Sequence, residues 1–414
     1  MEITIHRGTK QIGGTCIEIK SDEARIIFDI GEELPDVFNP SKISTDLDVA
    51  DLFIKSKETN NKIDGVFISH NHGDHIGMLK NVKQDIPIYI GEISAQVHNT
   101  ICKFISDKNT ITTNTFLENQ KTIQIKDFKI TPFLVDHSAY DAYAFLIENN
   151  QKKVIYTGDF RQHGSRGKLT KQLSSNINAH NPDILLIEGT NLYKNDFIAE
   201  TENEVSERAV NFMNKINGNV FVLQSTTNID RLKEIYKSSI KTKRTLIVDI
   251  FSAHILENIP DDELRNIKIF YPYWLRERMF KTGQKDLMFK YSNRKISNEE
   301  LKNRQDLTIL VRENMLFDIK KRINYQESGL IYSKWEGYKE VEKTQVFIDF
   351  FIKNKLKIES IHTSGHADVL AIKDFVKNIN PKKIIPVHTE TPEKYKELFN
   401  DIVILLDDKN SFKI

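Results

Sequence analysis

The stretch Ile68–Gly77 reads ISHNHGDHIG and sets His70, His72, Asp74 and His75 directly behind the apolar run GVFIS. That pattern constrains the fold more tightly than any other in the chain. Polar, metal-type side chains in such density belong at a strand end that opens into loops, where they converge without being spent in the core. Histidine and aspartate are suitable ligands for Zn²⁺ or a similar divalent ion. His70 and His72 are two apart and can point the same way in an extended loop. Asp74 and His75 follow a turn at Gly73 and can face a second ion. Two cations about 3.5–4 Å apart would make a bimetal hydrolytic centre. A solvated loop with chance histidines is the bland alternative, and four such residues together weigh against it.

The rest of the chain supplies an α/β frame for that loop. Short β-rich runs come first: ARIIFDI, GVFIS, IPIYI, FKITPFLV, YAFLIE, KVIYTGD and DILLIEG. Between two of them Ile93, Val97, Ile101 and Ile105 recur at helical spacing. After residue 192 a second alternation begins. Thr201 and Glu204 form a capping-box pattern before a helix that ends ahead of Gly218, and VFVLQ, NIDRLKEIYKSSI, TLIVDI and IKIFY follow. Residues 275–325 are rich in Lys and Arg and give no clear period, and the α/β pattern resumes from about 340. With 414 residues the chain has room for two or three folding units.

Composition excludes several classes. The formal net charge is +1, so no global polyanion or membrane signal exists, and a nucleic-acid site has to be a local patch. Two cysteines, Cys16 and Cys102, do not make a disulfide framework and suit a reducing cytoplasm. MEITIHRGTK has none of the features of a signal peptide, and no apolar run is long enough to span a bilayer. The expectation is a cytoplasmic protein with no membrane partner.

Four clustered residues cannot close a two-metal site, and the sequence offers more donors at strand ends. His137 follows PFLV, Asp159 follows KVIYTG and His388 follows KKIIP. Alone, each is as readily structural as ligating; beside the cluster, ligation is the stronger reading. Asp29 in IIFDIG also ends a strand, where it could orient the histidines.

The HNHGDH cluster, DHS at 136–138, YTGDF at 156–160 and the late His388 resemble the metallo-β-lactamase superfamily. The resemblance sharpens to the β-CASP nucleases, and within them to RNase J-like enzymes. It is carried by LLIEGTN with Glu188, TTNIDRL at 226–232, HTSGHAD with His366 and IPVHTE with His388. It implies an αββα metallo-β-lactamase sandwich of residues 1–192 and 346–414, with an α/β β-CASP insert at 193–345. It implies one metal on His70, His72 and His137, a second on Asp74, His75 and His388, and Asp159 bridging them. The ions would be zinc, with manganese as the alternative, and a bridging water deprotonated near neutral pH would attack the phosphodiester. His366 would stabilise charge or protonate the leaving oxygen, with Asp74 also counted as catalytic.

The substrate reading follows the same resemblance. RNA, or single-stranded DNA, would meet His362, Ser364, Gly365, Arg161 and Glu188. Arg166, Lys168, Arg231 and the basic, aromatic stretch 273–291 suit a path for a strand, and the last is as well explained as a solvated surface. Lys334 and Trp335 end a strand of the insert and could face the cleft, and His163 could touch substrate. His6, His98, His180 and His254 lack a partner pattern and read as structural. Many RNase J proteins carry a further C-terminal domain used in assembly, and this sequence stops soon after IVILL, so a homodimer is an open expectation. The competing functions are hydrolysis of DNA or a small signalling nucleotide, and a non-catalytic nucleic-acid-binding subunit.

Overall fold

Strands buried on both faces read as continuous apolar runs, and this chain has many. Ile184–Glu188, Val220–Gln224, Leu307–Val311 and Gly329–Ser333 are buried at every position. The computed structural model describes the chain except residues 35–43, 59–61, 83–84, 114, 151, 177–178 and 195–196. Three sheets account for the runs.

The first sheet has seven strands, in the order Ser411–Lys413, Glu2–Arg7, Cys16–Lys20, Arg25–Phe28, Gly65–Phe67, Ile88–Gly91 and Phe116–Leu117. The second has six, in the order Lys383–Val387, Ile184–Glu188, Lys152–Tyr156, Ala142–Asn149, Phe128–Val135 and Ile123–Ile125. Their inner faces meet in one core. Ile17, Ile19, Phe28 and Phe67 come from the first sheet, and Phe128, Phe145, Ile147 and Tyr156 from the second. Phe28 stacks on Phe67 with centroids 5.3 Å apart and meets Phe145 at 5.2 Å. Outside the first sheet, Val49 and Phe53 pack on Val66, Ile68 and Ile90. Outside the second, Phe375, Ile372 and Ile379 pack on Leu185, Ile155 and Leu146. The result is the expected αββα sandwich, built from both ends of the chain.

The third sheet is wholly parallel, in the order Lys268–Phe270, Thr245–Asp249, Leu307–Val311, Val220–Gln224, Gly329–Ser333 and Lys357–Ser360. Helices cover both faces, as parallel sheets require. Thr201 and Glu204 close a reciprocal capping box on the helix Glu202–Asn214. The stretch that gave no period resolves into short helices, among them Tyr273–Lys281, Lys285–Phe289, Asn298–Asn303 and Leu316–Arg322. Pieces this short carry too few turns to show a 3.6-residue period. The helix Glu342–Lys353 packs Phe347, Phe350 and Phe351 on this sheet, and Lys357–Ser360 pairs with Gly329–Ser333. Sheet membership therefore runs to residue 360. No helix among the described residues is long and apolar enough to cross a membrane.

Buried ion pairs join sandwich and insert. Arg161, just past the strand Lys152–Tyr156, reaches Asp136 at 3.4 Å, Glu202 at 2.9 Å and Asp230 at 2.7 Å. Arg231 bonds the other Glu202 oxygen at 2.8 Å and also Ser333. Both arginines are fully buried. The expectation that Arg161 binds substrate is corrected here: its guanidinium is saturated by three carboxylates and closed off from solvent. Arg231 is withdrawn from a strand path for the same reason. Their short motif neighbours are informative, but a sequence cannot distinguish an arginine that faces phosphate from one that faces carboxylates.

Burial alone would raise the Glu202 carboxyl; Arg231 and then Arg161 outweigh it and hold it at about 2. A depressed carboxyl contributes stability above its unfolded value, and that contribution is lost as pH falls toward the folded one. Glu202→Gln strands two buried guanidinium groups and should cost about 3–5 kcal/mol at neutral pH. In urea unfolding, wild type should lose stability more steeply than Glu202→Gln between about pH 5 and pH 3. Parallel slopes would remove Glu202 from the joint.

Candidate metal centre

Strands of both sheets end at one rim of the sandwich, and each end delivers a side chain. His70, His72, Asp74 and His75 follow Gly65–Phe67. His137 follows Phe128–Val135, Asp159 follows Lys152–Tyr156 and His388 follows Lys383–Val387. Gly31 lets the loops pack this closely, since a Cβ there would fall 1.6 Å from the Asp74 carbonyl oxygen.

Two donor groups form, with ligand atoms within 4.8 Å of one another: His70, His72 and His137, and Asp74, His75, Asp159 and His388. His72 Nδ1 lies 3.2 Å from His137 Nε2. Asp159 Oδ2 is 3.0 Å from His75 Nε2 and 3.9 Å from His70 Nε2. His388 Nε2 is 3.2 Å from Asp74 Oδ2. A third group, Asp159, Glu188, His366 and His388, shares two members with the second.

These residues fit a divalent cation on the evidence of their unsatisfied atoms. His70 Nε2 and Asp159 Oδ1 are buried with no hydrogen-bond partner among the described residues, and the one close partner of Asp159 Oδ2 is His75 Nε2 at 3.0 Å. A buried carboxylate without donors is costly, and cations are the usual remedy. Burial, then the neighbouring imidazoles, push His70 and His137 well below the ordinary histidine value, and burial takes His72 down to about 4. Those rings are neutral and present lone pairs. His75 runs the other way. Burial opposes its charge, but Asp159, Asp29 and Asp74 outweigh it. Its imidazolium does the charge balancing that a bound cation would do.

Supporting bonds aim the ligand rings. Asp29 Oδ2 accepts from His75 Nδ1 at 2.8 Å, from Ser69 Oγ at 2.8 Å and from Tyr156 OH at 2.5 Å. Its φ of +56° lies in the left-handed region, which aspartate tolerates better than most residues. His137 Nδ1 donates to the Gly365 carbonyl at 2.6 Å, and Thr190 Oγ1 lies 2.9 Å from His388 Nδ1. Ser69, Tyr156 and Thr190 were not singled out from sequence. Hydroxyls at these positions carry no motif, and only their strand-end positions could have flagged them.

His366 stands at the rim, with Nδ1 3.3 Å from Glu188 Oε1 and 3.2 Å from Thr190 Oγ1. Burial would lower it, but Glu188 and Asp159 raise it to about 9. Of the expected substrate contacts around it, Glu188 is corrected. Glu188 is fully buried and takes bonds from Phe160 N at 3.0 Å and Thr190 N at 3.2 Å, so it fixes His366 instead of touching a ligand. Ser364 Oγ accepts from Asn191 at 3.0 Å and from His366 N at 3.1 Å, and is used inside the loop. Gly365 offers its carbonyl to His137. His362 is not in any donor group; burial and Arg231 lower it to about 3. His163 donates toward the Ser364 carbonyl at 2.8 Å.

Comparisons with known proteins bear on the fold that carries this site. A beta-lactamase superfamily domain model matches residues 45–223, and a Zn-dependent metallo-hydrolase RNA specificity domain model matches 352–401. Ribonuclease J 2 of Streptococcus pyogenes is 23% identical over 92% of this chain and 68% of its own length. Ribonuclease J of Helicobacter pylori is 24% identical over 94% of this chain, which spans 56% of that relative. A probable RNase of Methanocaldococcus jannaschii is 24% identical, covering 94% of this chain and 93% of its own. A crystal structure of a protein of unknown function from Enterococcus faecalis superposes with a TM-score of 0.76 at 20% identity, over 99% of both chains.

Asp29→Asn keeps a residue that accepts the backbone conformation but removes the charge behind His75. It should weaken divalent-metal affinity about 10- to 100-fold, measured by competition with a chromogenic chelator, while the circular dichroism spectrum stays native. Unchanged affinity would separate Asp29 from the metal centre.

Proposed function

This chain is an RNase J-like β-CASP protein of the metallo-β-lactamase superfamily, and from that premise we propose that it hydrolyses phosphodiester bonds of single-stranded RNA with two divalent cations bound. One observation carries the reading: the buried ring nitrogens of His70 and His75 converge on the Asp159 carboxylate where two strands end. Relatives named ribonuclease J, and the RNA specificity model over 352–401, support RNA as the polymer. In domain terms we take the insert as 193–360 and the sandwich as the remainder, since Lys357–Ser360 belongs to the insert's sheet.

In this reading His70, His72 and His137 hold one ion, Asp74, His75 and His388 the other, and Asp159 lies between them. Mixed imidazole and carboxylate donors suit zinc, with manganese as the alternative. When bound, the ions supply Lewis acidity, which offsets charge on a phosphoryl oxygen and makes water a better nucleophile at neutral pH. Asp29, Gly365 and Thr190 fix the imidazoles His75, His137 and His388 through the bonds already given, so the donor set is preorganised. Glu188 holds His366 Nδ1, which leaves Nε2 as the ring nitrogen for a phosphoryl or leaving oxygen. His366 then acts by donating a hydrogen bond or its proton there. Free, buried Cys16 and Cys102 support a reducing, cytoplasmic setting.

Wild type loaded with zinc or manganese should cut a labelled single-stranded oligoribonucleotide, and Asp74→Ala should abolish cutting. His366→Ala should lower kcat by about 10²- to 10⁴-fold while metal per chain, by elemental analysis, holds steady. Equal loss of metal and turnover would make His366 a ligand or a folding residue. Intact RNA and DNA after incubation with loaded wild type would sink the nuclease reading.

A further inference from the structure

The insert presents an aromatic pair that the chemistry above does not use. Its strand Gly329–Ser333 runs into KWEGY, where the tight turn Glu336–Glu340 begins. Trp335 and Tyr338 meet there edge to face, with centroids 5.4 Å apart and planes at 89°. Both rings remain partly open to solvent, at 37% and 43%. The turn is built to display them. Tyr332 OH donates to the Trp335 carbonyl at 2.9 Å, and Tyr338 N donates to the same oxygen at 3.1 Å. The indole lies across Gly337, where a Cβ would come within 2.2 Å of the ring. Only glycine lets the indole lie there.

The pair also sits at the end of the insert's sheet from which the loop bearing His366 departs. Tyr332 is opposite Ser360 on the neighbouring strand, and Ile361 N donates to Tyr332 O at 2.9 Å. That same segment continues through His362 and Ser364 to His366. Lys339 Nζ ties the turn to Ser360 Oγ at 2.8 Å. In the segment that leaves the sandwich, Lys194 Nζ lies over the Phe197 ring at 4.6 Å and the Tyr193 ring at 5.2 Å, adding positive charge and a third exposed aromatic, Tyr193.

We propose that Trp335 and Tyr338 stack a nucleobase of the strand whose phosphate lies at the metal centre, a role that rests on the ribonuclease reading. Partly exposed aromatic rings beside a cationic side chain are the chemistry by which proteins hold single strands without reading sequence, because every base has a π-face. The platform grips a base next to the scissile phosphate and sets the register of the backbone over the cations. Duplex, whose bases are already stacked and paired, cannot offer that base without unpairing.

The chain has two tryptophans, Trp274 and Trp335, so a Trp274→Phe background reports Trp335 alone. The probes are a nuclease-resistant phosphorothioate oligoribonucleotide of about ten nucleotides and an abasic strand of equal length and charge. Each is titrated into metal-loaded protein, with indole emission and the anisotropy of an end label read together. The base-bearing strand should quench Trp335 and bind about 10-fold more tightly than the abasic one. Trp335→Ala and Tyr338→Ala should each erase that preference, and Tyr338→Phe should keep it, since the ring and not the hydroxyl does the stacking. Equal binding of the two strands by wild type, or a preference that survives Trp335→Ala, overturns the platform while leaving a working nuclease. If neither strand binds and wild type cuts no RNA, both readings fall.

Discussion

Asp159 carries a buried carboxylate whose partners are imidazole rings, His75 at 3.0 Å and His388 at 3.6 Å, and the architecture around it makes sense as a way of tolerating that charge. Left to itself, such a group protonates or drags the fold apart. Here His75 and His388 hold it ionised, and the same rings lie where cations would take over the task. The centre is therefore a set of mutually dependent charges, and no single ligand can be understood from its own contacts. It also explains why the site must be assembled from both ends of the chain. His388 arrives on Lys383–Val387, which pairs in parallel with Ile184–Glu188, so this edge strand of the second sheet has to be in register before the second donor group exists.

The segment 159–163 shows how closely catalysis and architecture are interleaved. Asp159 turns to the donor cluster. Two residues on, Arg161 turns to Asp136, Glu202 and Asp230 and closes the joint with the insert. Another two residues on, His163 reaches the Ser364 carbonyl. A single short loop thus fixes a ligand, the seating of the insert and the loop that bears His366. Buried ion pairs are weak sources of net stability, but breaking one is costly, which suits a joint that must keep one geometry.

What could be read from sequence divides along physical lines. Donors at strand ends were legible because His and Asp behind apolar runs are chemically conspicuous, and the structure brings His70, His72, Asp74, His75, His137, Asp159 and His388 to one rim. The helix start at Thr201 was legible from its capping-box residues, and the sandwich from the motifs that carry the family resemblance. Charged residues were misread where the question was which way they face. Arg161, Arg231 and Glu188 have the composition of a phosphate path and the environment of an interior, and only the tertiary fold distinguishes the two. Thr190 and Tyr156 escaped notice because a hydroxyl that orients a ring leaves no pattern in the chain. The span 275–325 stayed opaque because its helices are too short for a period.

The loop 361–368 is where these separate constraints meet. Thr363 and Ile361 give their carbonyls to Arg231 at 3.4 Å, Ser364 gives its carbonyl to Arg161 at 3.1 Å, and Gly365 gives its own to His137 at 2.6 Å. Asn191, from the segment that leaves the sandwich, donates to Ser364 Oγ, His366 O and Ala367 O. The loop also leaves the insert's edge strand and enters the helix Val369–Ile379 of the sandwich. Any shift of the insert is thereby transmitted to the ring of His137 and the position of His366 at once, because both hang on adjacent residues of one bonded segment. Cleft geometry and ligand geometry are then a single variable.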